Sequence, residues 1–495
     1  MSALPEISLI CKNLKSATSE PDIVDELITS EVNKKFLIGP YTEPPFDIYR
    51  INPIGIATGK YSDKKRLIVD LSAPHDSEGN SINELIAKEE YSLSYISVDD
   101  AINQIQHTGR HSKLCKLDIT DAFKLIPVSP KLWPFYGICW KQQYYFYTKL
   151  TFGCRSSPKI FDLLSTALCW ILSTNYQIEY IIHYLDDFLT IDRPNVVAER
   201  TMAILSKVFT ALNIPVSPHK TLGPSESLEF LGITLDTSNM EARLPANKVQ
   251  RITQTIKSFC KRKKVTKREL LSLLGHMNFA SRVIIQGRSF ISYLLNLAAS
   301  VKQLHHHVQL TGACQQDLFM WYTFTDQWNG NSVFLQETTT LAHDINLYTD
   351  AAGGIGFGAF YDGQWFHGHW PHQISLNSSE MSIAFMELYP IVLACMIWGH
   401  KWSGLRIRLH CDNQATVDII RKGRSKCAYI MPFMRRLTWC TFIHNFVLTA
   451  VHIPGKQNNI ADALSRFQMD RFHDLAPAAK KSQNPIPDYD NVPLY

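Results

Sequence analysis

Tyr184-Leu185-Asp186-Asp187 lies between two apolar runs, Ile178 to Ile182 before it and Phe188, Leu189 and Ile191 after it. Two β-prone runs around a tight acidic turn predict a hairpin with adjacent carboxylates at its tip. Neighbouring like charges are costly unless a positive group relieves them. A divalent cation with oxygen ligands does so, and Mg²⁺ needs few protein carboxylates when phosphates supply the remaining ligands. For an isolated Asp-Asp pair a solvated acidic turn is the favoured reading. The surrounding sequence must therefore decide.

The chain has 495 residues, 45% of them hydrophobic and 19% charged, which predicts a folded protein of two to four domains. A formal charge of +5 is too small to signal a polyanion partner, so any nucleic-acid contact must come from local clusters. The 11 cysteines never form a C-x-x-C pair, which argues against zinc ribbons and a disulfide scaffold and for a reducing intracellular setting, cytoplasm or nucleus. No signal peptide is read at the start. The longest apolar run, Leu388 to Trp398, is too short for a bilayer, so no membrane partner is expected.

Upstream of the acidic turn, a short helix is expected through Ile23 to Val32, then loops at Gly39-Pro40 and Pro44-Pro45. A basic cluster, Lys60, Lys64, Lys65 and Arg66, enters the strand-like Leu67-Ile68-Val69. Arg66 suits a triphosphate, since guanidinium matches phosphate geometry, and a solvated basic loop fits as well. Leu114 and Leu117 predict a buried strand ending at Asp118. A third carboxylate beside Asp186 and Asp187 makes a site for two Mg²⁺ ions, the arrangement that stabilises both oxygens of an in-line phosphoryl displacement. Phe123 reads equally as a wall that rejects a ribose 2′-hydroxyl and as a core aromatic. Phe152-Gly153 in a loop lets backbone approach a base pair or sugar before an apolar helix begins near Ser157-Pro158. Lys220, ahead of a strand pattern over Leu228 to Ile233, is placed to neutralise a pyrophosphate leaving group or is a surface lysine.

The ordered set Asp118 with Phe123, Phe152-Gly153 with Pro158, Tyr184-Leu185-Asp186-Asp187, Lys220 and Phe230-Leu231-Gly232 resembles the fingers and palm of a retroelement reverse transcriptase. That resemblance implies that Asp118, Asp186 and Asp187 hold the catalytic Mg²⁺, with Mn²⁺ as a substitute. It implies that Phe123 is the sugar gate, flanked by Asp121 and Ala122, and that Arg66, Phe152 and Lys220 also face the incoming dNTP. Tyr184 and Gly153 are assigned with it to the template–primer. Phe152 stands where the lentiviral enzymes have glutamine, so that hydrogen bond is not carried over. Thr58-Gly59-Lys60 departs from their proline-lysine ending.

Val249, Ile252, Ile256 and Phe259 recur at helical spacing, as do Leu270, Leu274 and Met277, and Thr266-Lys267-Arg268-Glu269 is a capping box. The basic corner of Lys261 to Lys264 with Lys267 and Arg268 suits a thumb gripping phosphates through Lys263, Lys264, Lys267 and Arg268; a solvated charged turn is the alternative, and a polymerase upstream favours the thumb. His305-His306-His307 is expected on a surface helix, and Asn329-Gly330-Asn331 as a turn in a connection segment.

The last third predicts a hairpin with Asp362-Gly363 at its turn, Glu387 on a helix with an apolar face (Phe385, Leu388, Val392, Cys395 or Met396), and Asp412 ending a strand through Ile407, Leu409 and Cys411. Asp462 falls on a helix from Asn459 to Arg466. Singly, each carboxylate reads as a cap or surface charge, Asp412 beside Asn413 especially. Together, Asp350, Glu387, Asp412 and Asp462 resemble ribonuclease H. The implied role is Mg²⁺ ligation during hydrolysis of the RNA strand of an RNA–DNA hybrid, where 2′-hydroxyls distinguish RNA. His452, Pro454-Gly455 and Asn458 to Arg466 are most similar to the retroelement form.

The expected fold is therefore a multidomain α+β chain. An N-terminal extension (1–35) precedes right-hand polymerase fingers and palm (36–240), a helical thumb (241–300) and a connection (301–343). A ribonuclease H-like α/β domain (344–468) and a flexible tail (469–495) follow. Leu270 to Gly275, Trp328-Asn329-Gly330 and Asn459 to Arg466 are most similar to tyrosine-recombinase (DIRS-type) retrotransposons. No protease triplet, integrase or zinc knuckle is read, which suits one piece of a longer polyprotein or a truncated copy, with other element-encoded proteins as partners. The expected activity is RNA-directed DNA synthesis on an RNA template with a DNA primer and two Mg²⁺ per active site, plus hybrid cleavage. A decayed or domesticated copy that only binds nucleic acid is the alternative, and the retained carboxylates argue against it.

Overall fold

The structure is a computed structural model that describes residues 5–59, 64–75, 80–327, 345–374, 382–425, 427 and 429–494. Lys60 and the turns expected at Trp328-Asn329-Gly330 and Asn329-Gly330-Asn331 lie outside the described residues. The chain divides into two compact units, Met1–Phe230 and Leu231–Tyr495.

The first unit is organised on a four-stranded sheet in the order Leu222–Ser225, Lys113–Asp118, Asp187–Asp192, Ile181–Tyr184. The helices Ser157–Tyr176 and Ala198–Ala211 pack on it, so Asp187–Asp192 is buried along most of its length. A five-stranded sheet (Leu9–Ile10, Arg50–Ile51, Gly137–Trp140, Gln143–Tyr147, Leu37–Tyr41) and the hairpin Ile54–Thr58/Lys65–Val69 complete the unit. One core, including Val24, Ile28, Val69, Leu117, Phe161, Phe188 and Phe209, joins these parts. The N-terminal stretch is thus no mere extension. The helix Pro21–Asn33 runs slightly beyond the predicted Ile23 to Val32 and buries Val24 and Ile28 against the strands Leu37–Tyr41 and Lys65–Val69. The strand expected over Leu228 to Ile233 is interrupted, because Leu231 and Gly232 adopt left-handed φ of 46° and 82°.

In the second unit, the amphipathic helices Ala246–Cys260 and Lys267–Ala280 form as predicted, with Ile252, Ile256, Phe259, Leu270, Leu274 and Met277 buried. Thr266 and Glu269 form the capping box reciprocally. The basic corner carries a short strand, Lys264–Thr266, paired with His307–Gln309, so the histidine run ends in a turn and strand and not in a helix. The helix Gly312–Gln327 packs on Ala246–Cys260.

A five-stranded sheet follows in the order Gln364–Gly368, Gly356–Tyr361, Ile345–Ala352, Arg406–Cys411, Val447–His452, with the first two pairings antiparallel and the last two parallel. Asp362 and Gly363, with φ of 46° and 71°, make the mirror-image turn that the Asp-Gly pair predicts. The helix Ile383–Trp398 differs from its expected single apolar face: Ala384, Tyr389, Ile391, Leu393 and Ala394 are buried as well. Ile383–Lys401 is long and apolar enough to cross a membrane by length and composition alone, and most of it is buried within this domain. The expected flexible tail is also corrected. The helix Met469–Leu475 seats Phe472 against Trp365, the N–H groups of Lys480 and Asn484 bind the carbonyls of Gly363 and Trp365, and Val492 is fully buried. The segment follows the outer strand as far as Asn484 and then packs on the helices Ile383–Trp398 and Met431–Ile443, where Tyr489 meets Tyr389 and Phe433 and the Leu494 N–H binds the Pro432 carbonyl.

Candidate active site

In the first unit, Asp118 closes its strand directly opposite Asp187 in the antiparallel register, and Tyr184 pairs with Asp187 across the hairpin. Leu185 and Asp186 form the two-residue turn. Leu185 takes φ of 53°, a left-handed conformation uncommon for a γ-branched residue, and neighbours brace it. Ser165 Oγ donates to the Leu185 carbonyl at 2.9 Å, and the Ile119 N–H donates to the Asp186 carbonyl at 2.9 Å.

Two ammonium groups balance the carboxylates. Lys220 Nζ donates to Asp118 Oδ1 and Oδ2 at 2.9 and 2.8 Å, which places this exposed lysine on the acidic cluster. Lys116 Nζ lies 3.1 Å from Asp187 Oδ2. Burial pushes Asp187 up to about 6, with Lys116 pulling the other way and Asp118 and Asp186 adding to the rise. Burial also raises Asp186; its own N–H lowers it, Asp118 raises it, and Lys220 and Arg66 pull it down. Arg66, exposed on Lys65–Val69, is thus near enough to act on the turn. Asp187 Oδ1 is buried with no hydrogen-bond partner. An orphaned carboxylate oxygen beside two more carboxylates is the donor set a hard cation takes.

Around the cluster, Phe123 is buried and packs against Phe152 at 4.7 Å and Phe161 at 5.5 Å, while Phe152 is half exposed. Ala122 is buried, and Asp121 pairs with Lys34 at 2.7 Å. Gly153 has φ of 92°, and a Cβ there would lie 2.5 Å from the Val69 carbonyl, so the loop requires glycine. Asn83 Nδ2 fixes that loop by donating to the Gly153 carbonyl at 2.8 Å. Tyr184 stacks on Tyr95 at 4.9 Å. Lys116, Asn83, Tyr95 and Ser165 are not among the expected site residues. Only Lys116 carried a signal: two residues before Asp118 on a strand, it shares that residue's face. In the second unit Lys263, Lys264 and Arg268 are exposed, whereas Lys267 is already engaged, donating to the Val301 carbonyl at 2.5 Å.

A second acidic cluster sits on the five-stranded sheet. Asp350 lies in register with Gly358, where a Cβ would meet Leu464 Cβ at 2.5 Å. The missing side chain lets the helix Asn459–Ser465 lie on the sheet, and Ser465 Oγ donates a short bond to Asp350 Oδ2. Asn458 Nδ2 holds the Thr349 carbonyl at 2.8 Å. Asn413, not Asp412, caps the following helix, its Oδ1 accepting from the Thr416 N–H at 3.0 Å. Asp412 is thereby left at the strand end, where His452 Nε2 meets its backbone carbonyl at 3.1 Å.

Burial, then Asp350 and Asp412, pushes Glu387 up to about 9. Burial likewise raises Asp350 to about 6, Ser465 opposing and Asp412 and Asp462 adding. Glu387 Oε2 is buried without a hydrogen-bond partner, so this cluster also presents a donor set that fits a cation. Asp462 differs from its three companions. Burial acts to raise it, but Arg466 Nε and Arg471 Nη1, each at 2.7 Å, outweigh that and hold it below the ordinary carboxylate range. Expected as a metal ligand, it is an arginine-bound group here.

The first unit is a mixed α/β, polymerase-like fold with an acidic cluster on its central sheet. Residues 49–235 match the family profile described as Reverse transcriptase (RNA-dependent DNA polymerase). A Gag-Pro-Pol polyprotein of Human T-cell leukemia virus 2 is 24% identical over 131 residues, which is 25% of this chain and 9% of that polyprotein. A foamy viral protease-reverse transcriptase in complex with RNA/DNA hybrid superposes with TM-score 0.50 at 16% identity, covering 91% of this chain and 55% of that one. The foamy viral enzyme in complex with dsDNA gives TM-score 0.50 at 15% identity, over 91% and 86%. At these identities the likeness is one of fold. The chain spans a small part of the viral polyprotein and about half of the first foamy viral chain.

Proposed function

We propose that this chain is an RNA-directed DNA polymerase of a retrotransposon that also cleaves the RNA strand of RNA–DNA hybrids. The observation that carries the first activity is the Asp118–Asp187 register with Asp186 at the adjoining turn, inside the span that matches the reverse transcriptase family. Reverse transcriptases use divalent metal ions, and Mg²⁺ or Mn²⁺ held by Asp118, Asp186 and Asp187 would supply the charge that stabilises attacking and leaving oxygens. The chain's own groups do the rest. Arg66 takes the dNTP phosphates, Lys220 moves from Asp118 to the pyrophosphate, and Phe123 with Phe152 walls the sugar. The exposed Lys263, Lys264 and Arg268 track phosphate backbone.

Hybrid cleavage is supported by the convergence of Asp350, Glu387 and Asp412 at one end of a sheet whose strand order is that of ribonuclease H-like domains. Asp462 joins them on this reading once the hybrid's phosphates draw Arg466 or Arg471 away. The DIRS-type assignment rests on the sequence resemblance alone. The 11 cysteines, with no C-x-x-C pair among them, suit a reducing intracellular setting.

Primer extension of a DNA primer on RNA, with a labelled hybrid in the same tube, tests both activities. Asp186→Asn is expected to abolish extension and leave cleavage, and Asp412→Asn to do the reverse. Survival of both activities in both variants overturns the assignment.

A further inference from the structure

Cys411 is fully buried at the end of its strand, and a buried cysteine alone is an ordinary core residue. Its surroundings are not ordinary. One ligand atom each from Glu387, Cys411 and Asp412 lie within 4.8 Å of one another. Glu387 is only 5% exposed, and its Oε2 has no hydrogen-bond partner. The Ala351 N–H also binds this carboxylate. The Cys411 sulfur has only weak contacts with Asn413, at 3.4 Å from its N–H and 3.8 Å from its carbonyl. Asp412 is half-buried, the most accessible of the three. Two carboxylates and a thiol are a poor set for Mg²⁺, which takes oxygen ligands, and a good one for zinc-class ions, which gain most from the sulfur.

We propose that Glu387, Cys411 and Asp412 form a thiolate-containing site for a soft divalent ion of the zinc class, which blocks hybrid cleavage by occupying the second acidic cluster. On binding, the Cys411 S–H bond breaks, its proton leaves to solvent and a sulfur–metal bond forms; no electrons are transferred. The ion stays divalent. The inference rests on the second cluster being a cation site, which is also part of the proposed nuclease reading.

The test uses the full-length chain, reduced and stripped of metal, titrated with Cd²⁺ alone and followed by sulfur-to-metal charge-transfer absorption. The parent is compared with Cys411→Ser, so that signal from the other cysteines cancels. The expected difference is a band saturating near one equivalent, absent from Cys411→Ser, with Cd²⁺ affinity weakened ~10-fold or more in Glu387→Gln. In the cleavage assay Zn²⁺ inhibition should likewise need ~10-fold more metal in Cys411→Ser. Equal bands in parent and Cys411→Ser overturn the proposal, as does unchanged affinity in Glu387→Gln. If circular dichroism shows that Cys411→Ser does not fold, the Glu387→Gln titration decides in the same way. Binding is read without substrate, so a chain that binds Cd²⁺ here but cleaves no hybrid sinks the nuclease reading and with it the inhibition, and leaves only the thiolate site standing.

Discussion

Glu387 shows how a single residue sets stability against function. Its folded pKa is pushed up to about 9, against an unfolded value near ~4.3. An acid raised in this way binds its proton more tightly when folded. It favours folding at low pH, and without metal the folded state loses stability as pH rises from the unfolded value toward the folded one. Glu387→Gln removes that penalty. In EDTA the second unit of this variant is expected to be more stable than the parent at neutral pH, by at most about 4 kcal/mol, with a flatter pH dependence between pH ~5 and ~9. Thermal melts at several pH values read both effects, and identical pH slopes in parent and variant would refute the cause given. A bound divalent ion should shrink the difference, because it neutralises the same charge.

The helix Asn459–Ser465 shows how one element depends on a missing side chain. It reaches Asp350 only because Gly358 has no Cβ to hold it off. Gly358→Ala pushes against Leu464 and the Ser465 backbone, neither of which yields without moving the helix. A cost of about 1–3 kcal/mol is expected from overpacking. Ser465 would be displaced from Asp350, so hybrid cleavage should fall steeply while primer extension is kept. Loss of extension as well would mean that the substitution acts globally. The capping box at Thr266 and Glu269 was legible from spacing alone, since it needs only residues three apart. The strand that precedes it was not, because its partner His307–Gln309 is remote in sequence.

At the scale of the whole molecule, a buried ion pair crosses the expected boundary between connection and nuclease-like domain. Asp317 on Gly312–Gln327 and Arg435 on Met431–Ile443 pair at 2.8 Å with almost no exposure. Burial pushes Asp317 up to about 6, and Arg435 opposes the rise. Asp317→Ala removes the carboxylate from a buried guanidinium, leaving Arg435 its 3.2 Å contact with Gln316 Oε1. A loss of about 3–5 kcal/mol is expected. Because the pair joins two stretches of one compact unit, denaturation should report one transition from both, at lower denaturant than in the parent. Separate transitions would restore the predicted boundary at 343/344.

The sequence by itself determined what is local and ordered along the chain. Asp118 at a strand end, the acidic hairpin turn, Glu387 on an apolar helix, Asp412 after alternating apolar residues and the Asp-Gly turn all follow from period, turn chemistry and motif order. Only the tertiary structure decided which charges meet. Lys220 sits on Asp118, Lys116 on Asp187, two arginines on Asp462, and Lys267 on a backbone carbonyl. It also decided that the C-terminal segment packs, and that Cys411 shares a site with Glu387. The physical reason is distance. Capping, turns and amphipathic faces act within a few residues, whereas ion pairing, desolvation and core docking join groups far apart in sequence and leave no periodic trace there.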